Sequence, residues 1–362
     1  MLKRMLNLAQ YELLNYPRKS IGYYLVRPFK ALAGNDKDVK DRACFGNALL
    51  AKSMLDYYKT HVNTEVAKEI IEVVKRYADR IILGGINLKF IDDAYVGVVF
   101  LDLFEITSNE KYRRAAERLY DKLTNAEIDS AGSFVYRPKE KGKYFRVESI
   151  GATCPFLAKY AKITGDPNAI ALAITQVNNL IRYGMDEKTI IPYHGFDSMS
   201  GMKYGIIGWG QAVGKVMIGI SEMLLYMDSD RPEYDGIRQF YRRLVDKVET
   251  YQADGGLYHW QLSAKDGPAD TGTSAMILYS IAQSVEDKVL IGIHKTRLLR
   301  GTEAIMACIQ EDGSLPGASA EANGFNDYPM VFDAFPWALG AAIALLTLAE
   351  GELAKNNEYV DF

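Results

Sequence analysis

Histidine, cysteine and unbalanced charge are all scarce in this 362-residue chain, which has four His, three Cys and a formal net charge of -3. Each scarcity excludes something. Cys44, Cys154 and Cys308 are far apart and odd in number. No CxxC and no Cys–His pair stands at metal-ligand spacing, so a zinc site is not expected. Reduced thiols suit a cytosolic protein. The small negative charge supplies no basic face, which argues against a nucleic-acid partner. The opening MLKRMLNLAQYELLNY has early positive charge but neither an apolar core nor a small-residue cleavage site, so it does not read as a signal peptide. The longest apolar run, Ala338 to Ala349, is about a dozen residues, and a spanning helix needs about 20. A soluble, cytoplasmic protein with no membrane partner is the expectation. Phosphate loops, GxSxG, HExxH and GxGxxG are absent as well.

What is present is helical periodicity of two kinds. In KYRRAAERLYDKL, Tyr112, Ala115, Leu119 and Leu123 share one face while charges fill the rest. That pattern describes a surface helix with one buried stripe. Segments 66–81 and 235–251 read the same way. Alternating with them are charge-poor segments rich in small residues, at 92–106, 148–163, 208–227, 270–284 and 333–350. The first of these carries its acids only at its two ends. A helix apolar nearly all round is buried on both sides. In ITGDPNAI, Gly165 suits a helix end, Asp166 a cap and Pro167 the next first turn. Before the charge-poor helices come turn residues followed by short extended aromatic pieces, near 131, 189, 254 and 312.

The buried helices begin near 42, 92, 148, 208, 270 and 333. Six recurrences of outer helix, loop and inner helix imply a degenerate internal repeat. Periodicity alone allows an open solenoid or a closed ring. The apolar last helix needs cover on both faces, which closure onto the first pairs supplies. The expected fold is therefore an all-α (α/α)6 barrel. No low-complexity linker divides it, so residues 1–362 read as one unit.

In such a ring the inner helices aim one end at a common pocket. Asp92, Glu148, Asp270 and Asp333 stand at their starts. An acid there caps free N–H groups, a contribution of about 1 kcal/mol, and that is its ordinary role. Paired carboxylates can also perform acid/base chemistry when one is held protonated. Asp92 and Glu148 begin consecutive inner helices, and packed helices lie roughly 8–10 Å apart, so the two can converge. His194, in PYHGFD beside Tyr193, Phe196 and Asp197, is placed either to bond a substrate hydroxyl or to satisfy a turn carbonyl. His259, in LYHWQ with Trp260, repeats the situation more weakly, while His61 and His294 read as solvated.

These residues carry a resemblance. IDDAYVGVVFLDLFEITSNEKYRRAAERLYDKL is similar to the inner–outer helix pair that bears the first catalytic Asp of the unsaturated glucuronyl and unsaturated rhamnogalacturonyl hydrolases, and the spacing to Gly97 sets that Asp at Asp92. In VESIGATCPFLAKYAKITGD, Glu148 lies seven residues before Pro155, where the family has its second Asp. YHGFD resembles the family's YHGWD, which carries over His194 and Asp197 as substrate contacts. GWGQAVGK resembles WGRxxGW, and ADTGTSAMILYSIA resembles ETSASAMFAYALA. The resemblance spans roughly residues 40–350.

It implies an enzyme that hydrates a terminal 4,5-unsaturated uronic acid on an oligosaccharide made by a polyuronate lyase, using no metal and no organic cofactor. Glu148 would be the principal general acid/base, its pKa raised by Asp92 nearby, with Asp92 assisting. Tyr193, His194, Asp197, Trp209, Gln211, Lys215, His259 and Trp260 would contact sugar. Three positions depart from the pattern: Glu148 replaces Asp, Gln211 replaces Arg and Lys215 replaces Trp. Losing a bidentate cation weakens the case for the same acidic sugar, unless Lys215 restores the charge. A sugar epimerase using His194 and His259, an enzyme of altered specificity and a non-catalytic sugar-binding ring are the competing readings.

Overall fold

A computed structural model describes residues 1–15, 43–137, 144–291 and 295–355. His294 lies outside the described residues. Twelve α-helices are described: α1 (Leu2–Asn15), α2 (Phe45–Thr60), α3 (Glu65–Gly84), α4 (Val96–Thr107), α5 (Glu110–Thr124), α6 (Ser149–Thr164), α7 (Pro167–Asn179), α8 (Gly210–Tyr226), α9 (Tyr234–Glu249), α10 (Thr271–Glu286), α11 (Lys295–Cys308) and α12 (Pro336–Lys355). A 3-10 turn, Ile91–Tyr95, leads into α4.

The even-numbered helices form the inner ring. α2 packs on α4, α4 on α6, α6 on α8, α8 on α10, α10 on α12, and α12 returns to α2. The ring is therefore closed, and the architecture is the (α/α)6 barrel. The odd-numbered helices clad it. α1, which the sequence pattern did not mark as part of the repeat, is the sixth outer helix and packs on α12, α2 and α3.

Local chemistry explains the alternation. α3, α5 and α7 start on side-chain caps: Thr64 accepts from the Ala67 N–H, Asn109 from Lys111 and Asp166 from Asn168. Each cap contributes about 1 kcal/mol. Gly165 ends α6 at φ 75°, a left-handed conformation that glycine adopts without a Cβ clash. Small residues set how near the inner helices approach. A Cβ on Gly219 would lie 2.3 Å from the Ile150 carbonyl oxygen, and one on Gly151 would lie 2.6 Å from that of Lys215. This contact between α6 and α8 brings Lys215 beside the start of α6.

The loops before the inner helices hold short strands: β1 (Phe145–Arg146), β2 (Gly195–Phe196) and β3 (Lys203–Tyr204) form one antiparallel sheet, and β4 (Ala318–Ser319) pairs with β5 (Phe332–Asp333). Asp333, expected at a helix start, lies in β5 and is exposed, and α12 begins three residues later at Pro336. Asp102, read as belonging to a helix end, is fully buried inside α4. Among the described residues no helix is long and apolar enough to cross a membrane.

Candidate active site

The acids at or beside the inner-helix starts do different work. Asp270 caps α10, accepting from the Thr273 N–H, and also accepts from the Ser319 hydroxyl at 2.6 Å. Asp93 accepts from the backbone N–H groups of Lys89 and Phe90. Asp92 and Glu148 make no cap bond. The helix ends do not consume them, although both are buried. Asp92 Oδ1 and Glu148 Oε2 have no hydrogen-bond partner among the described residues, and neither does Trp209 Nε1. Buried polar atoms are nearly always paired, so three unpaired ones around one opening mark a place built to meet something else.

That opening is a cleft of about 230 Å³ at the N-terminal ends of the inner helices. Glu148, Trp209 and Lys215 line it, together with Phe90, Tyr136, Arg137, Arg146, Glu321, Phe335 and Trp337. Asp92 lies directly behind the wall, its Oδ2 3.3 Å from Lys215 Nζ and 3.4 Å from the Tyr136 hydroxyl. His194 also lies behind the wall and is fully buried. Its Nε2 is 3.2 Å from Glu148 Oε1 and its Nδ1 is 2.7 Å from the Tyr328 hydroxyl. Both ring nitrogens are thus occupied, and the ring sits 4.6 Å from that of Trp209. His194 orients Glu148.

The two carboxyls are driven apart. Burial is the main cause of the raised Asp92 pKa, the nearby Glu148 charge adds to it, and Lys215 opposes it. Burial alone would raise Glu148 too. There His194, Arg146 and Lys215 together win and hold it at about 2. Arg146 Nη1 lies 3.8 Å from Glu148 Oε1. The sequence led to the opposite expectation, a raised Glu148. Pairing with His194 and Arg146, invisible in a linear reading, reverses it.

The remaining expected residues scatter. Gln211 is buried and donates to the Ser319 hydroxyl at 2.9 Å and to the Ala320 carbonyl at 3.1 Å, so it anchors the β4–β5 loop behind the cleft. Asp197 caps its own turn, accepting from the Met199 N–H and the Ser200 hydroxyl. His259 Nδ1 pairs with the Gly267 carbonyl at 2.8 Å. Trp260 reaches the site only through an edge contact with Tyr328, 5.9 Å between centroids. Tyr193 lines a separate crevice with Tyr251 and Gln261.

Reading the sequence missed Arg146, Glu321, Tyr328 and Trp337. Arg146 stands two residues before Glu148 in a two-residue strand, and that alternation was the available signal. The other three come from the β4–β5 loop and the start of α12, whose return to the cleft only ring closure reveals.

Residues 29–354 match the family described as Glycosyl Hydrolase Family 88. Among solved structures, a possible member of the GH105 family from Klebsiella pneumoniae is 16% identical, with a TM-score of 0.78 over 85% of this chain and 82% of that one. A possible GH105 member from Salmonella enterica serovar Paratyphi A is also 16% identical, with a TM-score of 0.78 over 97% and 94%. An unsaturated glucuronyl hydrolase from a Bacillus species, described as responsible for the degradation of glycosaminoglycan, is 16% identical, with a TM-score of 0.70 over 86% and 88%. These likenesses establish a shared fold.

Proposed function

Because the chain belongs to glycosyl hydrolase family 88, we propose that it removes a terminal 4,5-unsaturated uronic acid from an oligosaccharide by adding water across the sugar's double bond. The observation that carries the reading is the pair Asp92 and Glu148, electrostatically coupled, unclaimed by the helix ends and with pKa values pushed in opposite directions. Two carboxyls with separated pKa values supply one acid and one base at the same pH.

In this reading Asp92 gives its proton to C4 while water attacks C5 and passes a proton to Glu148. Glu148 then returns that proton to Asp92, and the net change is the addition of one water. The C5 hemiketal opens to a ketone and leaves C1 as a hemiacetal, which collapses and releases the rest of the chain. Arg146 and Lys215 face the cleft as cations for the uronate carboxylate, and Arg is suited to grip it with two parallel hydrogen bonds. Trp209, Trp337 and Phe90 offer flat apolar walls to the sugar faces.

The test follows the loss of absorbance of the conjugated double bond across a panel of lyase-generated disaccharides. Asp92→Asn and Glu148→Gln each remove one proton-transfer group and should lower kcat by about 10²–10⁴. Wild-type protein inert on the whole panel yet binding the sugars would favour a sugar-binding role. Full activity in either variant would remove that residue from the chemistry.

A further inference from the structure

We propose that Glu321 is a positioning residue that favours the protonated form of Asp92 by pairing with Lys215 and offsetting its charge. The inference rests on the reading of Asp92 as the proton donor. Lys215 Nζ lies between two carboxylates, 3.3 Å from Asp92 Oδ2 and 3.6 Å from Glu321 Oε1, and it sits 4.7 Å over the Phe45 ring. Its side chain is almost wholly buried, so water screens this arrangement poorly.

Among the described residues the charged and titratable groups facing Asp92 are few. Lys215 reaches it from α8, Glu148 and Arg146 from the segment entering α6, and Tyr136 from the loop after α5. Asp93, its chain neighbour, is turned to the backbone of Lys89 and Phe90. Lys215 is therefore the principal cation acting against the Asp92 proton, and Glu321 shares it.

The same molecule shows what two contacting lysines do, although each also meets a second carboxylate, Asp56 or Glu105. Asp102, equally buried, has two lysine ammoniums 2.5 Å from one oxygen and is held well below the usual carboxylate range. Asp92 has a single lysine at a longer distance, and its pKa is raised. Glu321 is held in place for the task. Its loop is pinned by Ser319, which donates to Asp270 and accepts from Gln211. Gln211, the position where the family pattern has Arg, thus acts on the site through the loop it anchors.

The experiment is a carbon-13 NMR titration of the Asp92 carboxyl in the full chain, assigned with Asp92→Asn, alongside pH profiles of kcat/KM. Glu321→Gln should lower the Asp92 pKa by about one unit, because the Glu321 charge then no longer offsets that of Lys215. The alkaline limb should move down with it, a loss of about tenfold above that limb. Lys215→Met should move the Asp92 titration the other way, and Glu321→Asp should restore the wild-type limb. A merely structural Glu321 would scale the rate equally at every pH and leave the titration unmoved, and that result overturns the proposal, as does a shift of the same sign in both variants. If no unsaturated disaccharide is turned over but the two titrations move oppositely, the hydrolase reading fails and the link from Glu321 through Lys215 to Asp92 stands.

Discussion

Two buried clusters of charge occupy the same ring, and they are built on opposite terms. Toward the C-terminal ends of the inner helices, Lys52 lies 2.6 Å from Asp56 and 3.2 Å from Glu222, and Lys159 lies 2.5 Å from Asp102 and 2.7 Å from Glu105. Tyr95 and Tyr279 donate to Glu222 as well. Every carboxylate there has a lysine in direct contact. Among the described residues at the cleft, Lys215 stands 3.3 Å from Asp92, while Glu148 has His194 at 3.2 Å and Arg146 at 3.8 Å; each carboxyl keeps one oxygen without a partner, as Asp102 also does. Asp92, Glu148, Asp102 and Glu222 are all buried, so burial does not separate these four. In the first cluster lysine contact holds the Asp102 carboxyl well below the usual carboxylate range, and in the second burial raises the Asp92 pKa.

The sharpest way to break this contrast is to neutralise one aspartate in each cluster. Asp92→Asn should cost about 10²–10⁴ in kcat while leaving the melting temperature unchanged or higher, since it removes a carboxyl whose ionisation burial opposes. Asp102→Asn should do the reverse. It removes the buried partner that Lys59 and Lys159 share, leaving them Asp56 and Glu105, and breaking a buried pair by removing one partner costs about 3–5 kcal/mol, measurable by denaturant unfolding. If both variants lose stability equally, the clusters are not different in kind.

A gentler probe uses acid. Glu148 falls from an ordinary 4.5 to about 2 on folding, so it contributes stability above the ordinary value that is lost as the pH drops from 4.5 toward 2. The full effect is roughly 3 kcal/mol. Asp92 has the opposite sign: its raised pKa favours the fold at low pH and that contribution fades as the pH rises. Unfolding curves of Glu148→Gln should be flatter between pH 5 and 2 than those of wild type, within about those limits. A slope identical to wild type would count against the pairing with His194 and Arg146. The smallest effects should come from Asp197→Ala and His259→Ala. Both side chains serve local turns, and kcat/KM should stay within about twofold of wild type.

The ring was legible because a helix flanked on both sides sheds exposed charge, and segments such as 208–227 and 333–350 show that shedding directly. The exceptions were not legible. Lys52, Asp102, Lys159 and Glu222 sit on inner helices and look in the linear chain like solvent-facing residues, but each is matched by a partner at least 43 positions away, as with Lys59 and Asp102. The cleft was half legible for the same reason. Asp92 and Glu148 could be read from their place at successive helix starts. How the two pKa values are ordered depends on Arg146, His194 and Lys215 meeting the carboxyls in space, and none of those distances is written in spacing along the chain.

Ring closure also orders events in time. The last inner helix, α12, docks on α2, and a Cβ on Gly340 would come within 2.9 Å of the Leu50 backbone. α1 leans on α12 as well as on α2 and α3. During synthesis α2 emerges with one flank bare and must wait for almost the whole of the remaining chain before that flank is covered. Contacts between segments so distant in sequence are slow to form, because a long loop must be closed before they stabilise anything. The seam beside Gly340 is therefore where a nascent chain is most exposed to wrong partners, and a bulkier residue there should reduce the yield of folded protein more than it weakens the protein once formed.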